Sequence, residues 1–185
     1  MLLRTATEIV QNDGWGRLNM SELAKRANVS RQLIYHHFDS MEDLMVATGT
    51  HIFQQVYAQT SNVLEAFDAA NLVKSLAQVQ HLTLDLPAGQ SRALWQVIAS
   101  AFPPDHDLTA FGRRMRHLLT NMYQGPAMKA FGIDEKKAAG VSWMLIMAFW
   151  GGHQLIQDGE LSKDEAVESL NWLVANMAKG ALSKD

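Results

Sequence analysis

The chain has 185 residues, of which 48% are hydrophobic and 19% charged, and its formal net charge is −3. This length suits one large domain or two small ones, and the negative charge argues against a protein that coats nucleic acid. The absence of cysteine excludes disulfide scaffolds, cysteine-ligated zinc and thiol redox sensing. We expect a soluble cytoplasmic protein without a membrane partner, because the apolar run 141–150 is too short to cross a bilayer and the N-terminus lacks a signal-peptide core.

Helix-forming residues dominate the chain and alternating β-branched runs are missing, so the predicted fold is all-α with about nine helices. A first helix is expected over residues 2–12. Two short helices then fall within residues 20–38. Asn19 caps the first of them, with Glu22 completing a capping box. Asn28 suits a left-handed turn, and Ser30 caps the second helix.

The second short helix is predicted to bury Ile34 and Phe38 and to expose polar side chains that can reach DNA. A helix-turn-helix with such an outer face is suited to enter a major groove. Arg31 and Gln32, at its start, would read bases, with Arg preferring guanine and Gln adenine. The full set of predicted DNA-binding residues is Ser21, Lys25, Ser30, Arg31, Gln32, Leu33, Tyr35, His36 and His37. Tyr35 and His36 are predicted to contact phosphates, and Ser21 and Lys25 could brace the duplex backbone.

This stretch resembles the TetR family of transcriptional regulators. The resemblance rests on Leu23-Ala24, Ala27, Val29-Ser30, Ile34-Tyr35-His36-His37-Phe38 and Ser40-Met41-Glu42-Asp43-Leu44. It implies a three-helix DNA-binding domain at 1–48, a helical effector-binding and dimerisation domain at 49–185, and a backbone contact by His37. Three residues depart from the family pattern. Asn28 stands where Gly is usual, Leu33 where a smaller residue is usual, and Met41 where a Lys usually touches the DNA backbone.

The later helices are predicted from Gly, Pro and capping residues that mark where helices begin and end. Their expected ranges are 40–67, 69–86 (closed by Pro87-Ala88-Gly89), 91–102, 107–123 (closed by Gly125-Pro126), 134–157 and 162–180. Ser162 and Glu165 form a capping box at the start of the last one.

The last two helices are apolar on broad faces, which pack either within one chain or against a second copy. The resemblance implies a symmetric dimer in which they form a four-helix bundle. The residues predicted for that interface are Val141, Leu145, Ala148, Gly152, Val167, Leu170, Val174 and Met177.

The middle helices are rich in Trp, Met and Phe, residues that line adaptable apolar pockets and that also fill cores. As a set they favour an apolar or aromatic small-molecule effector. The candidate pocket residues are Trp95, Phe102, Phe111, Met115, His117, Met122, Trp143 and Met147. No cofactor or metal is predicted, because the adjacent residues Asp105-His106-Asp107 have poor chelating geometry and lack a fourth ligand.

The sequence therefore predicts a DNA-binding transcriptional regulator, acting as a homodimer on a palindromic operator in double-stranded DNA and released by a small molecule. Repression is the default that the resemblance implies. An enzyme is not expected, because the chain lacks the HExxH, GxSxG, phosphate-loop and GxGxxG patterns. Two alternatives stay open: a helical protein-interaction module, and an all-α enzyme whose histidine and carboxylate groups meet only in the fold.

Overall fold

A computed structural model describes residues 1–65, 72–99 and 108–182; for 61, 63–65, 72, 99, 108–110 and 177–182 it describes the backbone only. Regular structure in these ranges is helical, as predicted, with no strand. The elements are α1 (Leu2–Asp13), a 3-10 turn (Trp15–Arg17), α2 (Met20–Ala27), α3 (Arg31–His37), α4 (Met41–Glu65), α5 (Leu72–Leu84), α6 (Ala88–Ala99), α7 (Leu108–Phe131), α8 (Glu135–Gln157) and α9 (Lys163–Leu182). None of the described helices combines the length and the apolar character needed to span a bilayer.

The observed helix ends agree with the predicted ones where a capping side chain was recognised in the sequence. Asn19 Oδ1 accepts hydrogen bonds from the amides of Ser21 and Glu22, and Asn28 adopts the left-handed region with φ 54° and ψ 48°. Ser162 and Glu165 form the predicted capping box, since each accepts a hydrogen bond from the other's backbone amide. These bonds satisfy amides that a helix N-terminus leaves without a partner.

Two predicted helix ends are wrong, and both involve proline. The Pro87 carbonyl accepts hydrogen bonds from the amides of Gln90 and Ser91, so this proline precedes the first turn of α6 instead of closing α5. A proline suits a helix start because its missing amide would have no partner there. Helix α7 continues through Pro126 to Phe131 and ends before Gly132, whose φ of 60° suits glycine.

The chain forms two compact units. The first contains Met1–Tyr57 and Leu86–His117, and the second contains Ala58–Asp85 and Leu118–Asp185. Helices α4 and α7 therefore contribute to both. The segment predicted as a DNA-binding domain, 1–48, lies wholly inside the first unit, which also includes the described parts of α6 and the start of α7.

In the first unit, α6 is fixed to the end of α1 by contacts that we call the α1–α6 junction (Gln11, Trp15, Gly89, Arg92 and Ala93). The Arg92 guanidinium donates to the carbonyl of Gln11 at 2.8 Å, at the C-terminal end of α1. The Trp15 indole donates to the carbonyl of Ala93 at 2.9 Å. A Cβ added to Gly89 would lie 2.4 Å from the Gln11 carbonyl oxygen, so only glycine allows this approach.

In the second unit, α9 packs against α5 and α8. Val174 of α9 is fully buried against Leu76, Ala130, Phe131 and Leu145. Polar contacts also join α5 to α9, because Gln80 donates to Asn171 at 3.1 Å and Lys163 pairs with Asp85 at 2.7 Å. The Lys163 ammonium lowers the pKa of the Asp85 carboxyl.

Candidate DNA-binding site

Helix α3 is held by its inner face and its cap. Ile34 is fully buried and Phe38 is 7% exposed, so these side chains fix α3 in the first unit, as predicted. Ser30 Oγ accepts a hydrogen bond from the Leu33 amide at 3.2 Å, and Asn28 makes the turn between α2 and α3. This arrangement leaves the opposite side of α3 on the surface.

The outer face of α3 brings together the residues predicted to read DNA. Tyr35 is 50% exposed and Leu33 is 39% exposed, both high values for large side chains. The rest of the face is also exposed and consists of Arg31, Gln32, His36 and His37. Hydrogen-bond donors and one apolar side chain thus share the exposed surface of α3, and this chemistry matches phosphates, base edges and thymine methyl groups.

The preceding helix, α2, adds two exposed polar side chains, Ser21 and Lys25. Ser30, also predicted to bind DNA, uses its hydroxyl to cap α3. The specific DNA contacts of all nine residues stay predictions.

Arg26 has a structural task, because it joins the end of α1 to α2. Its guanidinium lies 2.7 Å from a carboxylate oxygen of Asp13 and 2.7 Å from one of Glu22. The hydrogen bond from Arg26 lowers the pKa of the Glu22 carboxyl and raises that of Arg26 itself. Glu22 therefore binds Arg26, where the sequence had predicted a bond back to the amide of Asn19.

The start of α4, directly after α3, carries a second group of charges. Ser40 Oγ accepts from the Asp43 amide at 3.0 Å, and the Asp43 carboxylate accepts from the Asp39 amide at 3.3 Å. Beside them, Glu42 lies 3.8 Å from the Arg114 guanidinium of α7. The serine and aspartate spacing is a visible capping signal, but no local pattern could have brought Arg114 to this position.

The candidate effector residues are divided between the two units. Phe111 and Met115 are buried in the first unit, where Phe111 also contacts Trp15 with ring centroids 4.9 Å apart. Trp95 is half-buried and His117 exposed in the same unit. Met122, Trp143 and Met147 are half-buried in the second unit, and Phe102 lies outside the described residues, as do residues 105–107. The effector pocket stays a prediction.

Several residues predicted for a dimer interface are engaged inside their own chain. Val167, Leu170 and Val174 are buried, and Leu145 packs against Val174. A Cβ on Gly152 would lie 3.6 Å from that of Ala166, so Gly152 also faces α9 of the same chain. Val141 and Ala148 are half-buried, and the side chain of Met177 is outside the described part.

The described residues form a helical protein with a helix-turn-helix near its N-terminus. Residues 2–48 match the family described as "Bacterial regulatory proteins, tetR family". This match covers about a quarter of the chain, the part that contains α1–α3 and the start of α4. Among curated proteins, none matches this sequence.

Solved structures share the fold over nearly the whole chain. A protein from Rhodococcus sp. assigned to the TetR family of transcriptional regulators superposes with a TM-score of 0.74 at 18% identity, covering 96% of each chain. A TetR-family transcriptional regulator from Streptomyces coelicolor gives 0.64 at 18% identity, covering 97% of this chain and 93% of its own. The multidrug binding protein EbrR, complexed with imidazole, gives 0.64 at 20% identity, with coverages of 93% and 87%.

Proposed function

We propose that this protein is a ligand-responsive repressor that binds a palindromic operator as a homodimer, with α3 as the recognition helix. The observation that carries the proposal is the division of α3 into a buried face and an exposed face of hydrogen-bond donors. A short helix presented in this way fits the width of a major groove. Repression would follow where the operator overlaps or adjoins a promoter.

A homodimer is supported by an exposed apolar strip, the outer α8–α9 surface. On α8 it consists of the exposed residues Gly140, Met144, Gly151 and Leu155 and the half-buried Ala148, which recur every three or four residues and so share one face. Met144 is 67% exposed, and Trp172 of α9 is 68% exposed beside exposed Leu173. A Cβ on Gly140 or Gly151 would meet nothing within 4 Å, which leaves room for a second helix to approach closely.

A small-molecule effector is supported by composition and by fold. The half-buried Met122, Trp143 and Met147 of the second unit suit an apolar or aromatic ligand. One protein with this fold is described as a multidrug binding protein complexed with imidazole. Such a ligand can release DNA only if it binds the non-DNA-binding arrangement more tightly than the DNA-binding one.

The proposal is tested by selecting binding sites from fragmented genomic DNA with the purified wild-type protein at a stated salt concentration. We expect recovery of one inverted repeat, followed by its release when an aromatic compound from a panel beginning with imidazole is added. A double variant, Arg31→Ala with Gln32→Ala, serves as the control and should enrich no such repeat. Equal enrichment by wild type and double variant would show that α3 does not read the site.

A further inference from the structure

The first unit extends the DNA-binding segment with part of α7, and this part is packed firmly onto α4. A Cβ on Gly49 of α4 would lie 2.8 Å from the Met115 sulfur and 3.1 Å from the Phe111 ring, so these side chains rest directly on the α4 backbone. Both are almost fully buried. The neighbouring residue Arg114 is therefore carried at a fixed position beside the start of α4.

Arg114 projects toward the end of α4 that follows the recognition helix. Its guanidinium lies 3.8 Å from the Glu42 carboxylate in the first turn of α4, and its side chain is 64% exposed. Only three residues separate His37, the last residue of α3, from Met41, so the two helix ends are at most about 14 Å apart. If α3 lies in a major groove, an Arg side chain at this position is within reach of the sugar-phosphate backbone that borders the groove.

The start of α4 is acidic, so a basic side chain beside it affects how closely DNA can approach. Asp39, Glu42 and Asp43 are exposed there, and their carboxylates would repel phosphates. Residues 1–48 hold five basic and six acidic side chains, and Arg26 is bound to two of those carboxylates. Arg114 offsets the acidic group. Among the described residues its one ion pair is the long contact with Glu42, which leaves other guanidinium N–H groups able to bind an anion.

We propose that Arg114 of α7 is a DNA-backbone contact, so that the DNA-binding surface extends beyond the family-matched residues 2–48. This inference rests on the proposed function, because it requires α3 to dock in the groove. Arg114 would then strengthen binding to every DNA sequence alike, since phosphates carry no base information.

The test is to measure the salt dependence of DNA affinity for wild type and Arg114→Ala, on the selected duplex and on a scrambled duplex of equal length. Each dimer would lose two phosphate contacts, one per protomer, so the slope of log affinity against log salt should fall by about 1.8. The weakening should therefore be about twelvefold greater at 50 mM than at 200 mM salt. Both duplexes should be affected equally.

Arg113→Ala is the matched control, because it removes the same charge from the same helix. Phe111 and Met115 face α4, and Arg113, midway between them, lies on the opposite side of α7. We expect Arg113→Ala to keep the wild-type slope. An unchanged slope for Arg114→Ala would overturn the inference, as would an equal reduction for both variants.

A second variant separates a phosphate contact from simple neutralisation of Glu42. In a Glu42→Gln background, Arg114→Ala should still reduce the slope if Arg114 touches the backbone, whereas no further effect would contradict the contact. Melting curves of each variant check that the fold is intact. If wild type itself binds neither duplex, the proposed function fails; if wild type binds and Arg114→Ala equals it, only this inference fails.

Discussion

Arg31 and Tyr35 lie on the same exposed face of α3, yet their positions along the helix give them different expected tasks. Arg31 is the first residue of α3, the end from which a recognition helix reaches base edges, while Tyr35 lies one turn further along. Because α3 is anchored by buried Ile34 and by the Ser30 cap, substitutions on this face should alter DNA binding without altering the fold.

Arg31→Ala should relax the preference at one base pair of each half-site by about 1–3 kcal/mol, because a bidentate contact to guanine is lost. The measurement compares affinities for single-base variants of the selected site, with Arg113→Ala as a control of equal charge. A uniform loss over all sequences would instead make Arg31 a phosphate contact.

Tyr35→Phe removes only a hydroxyl from a half-exposed ring. If that hydroxyl donates to a phosphate, affinity should fall by about 0.5–1.5 kcal/mol per protomer on specific and scrambled duplexes alike. Competition binding with both duplexes gives the two values. A change in sequence preference would contradict a backbone role for Tyr35.

At the scale of helices, the sequence was most informative where the signal is local. Asn19, Asn28, Ser30 and Ser162 were recognised because a cap acts on residues two to four positions away. Pro126 was misread because a proline can remain inside a helix when the surrounding packing outweighs its lost hydrogen bond. The outward face of α3 could be predicted because burial of Ile34 and Phe38 fixes it.

Contacts between distant segments could not be predicted in this way. Arg92 and Trp15 act across 78 to 81 residues, and Arg114 reaches Glu42 from another helix. The sequence also could not show which apolar residues of α9 pack within their own chain and which remain exposed for a second copy. Val174 proved to be buried in its own chain and Trp172 exposed, although both lie on one amphipathic helix.

The α1–α6 junction supplies a prediction at this scale. Gly89→Ala should lower the free energy of unfolding by about 1–3 kcal/mol, because the new methyl would meet the Gln11 carbonyl and force the helices apart. Gly16→Ala is the matched control in the same unit, where a Cβ meets nothing within 4 Å, and its effect should stay within about 0.5 kcal/mol. Chemical denaturation provides both values. Equal free energies of unfolding for the two variants would mean that α6 does not pack closely against α1 at Gly89.

At the scale of the whole molecule, the proposed dimer uses side chains that a single chain leaves exposed. Met144, Leu155, Trp172 and Leu173 meet this condition on α8 and α9. Leu170 and Val174, which the sequence had placed at the interface, are already buried in the chain. A charge at either of these two would destabilise the monomer before it could affect association.

Met144→Glu should therefore produce folded monomers with weak DNA binding, since one helix-turn-helix reads a single half-site. Light scattering gives the mass and circular dichroism confirms the helices. Leu82→Glu, on an exposed apolar residue of α5, is the control and should remain dimeric. Persistence of the dimer in Met144→Glu would place the interface elsewhere.

The most direct test of a dimer that reads two half-sites through α3 is a hydroxyl-radical footprint of the wild-type protein on its selected duplex. The account predicts two protected patches related by two-fold symmetry, with centres about one helical turn apart, or 34–36 Å. The Arg31→Ala and Gln32→Ala double variant should lose both patches together. A single unsymmetrical patch, or protection that survives in the double variant, would contradict the account.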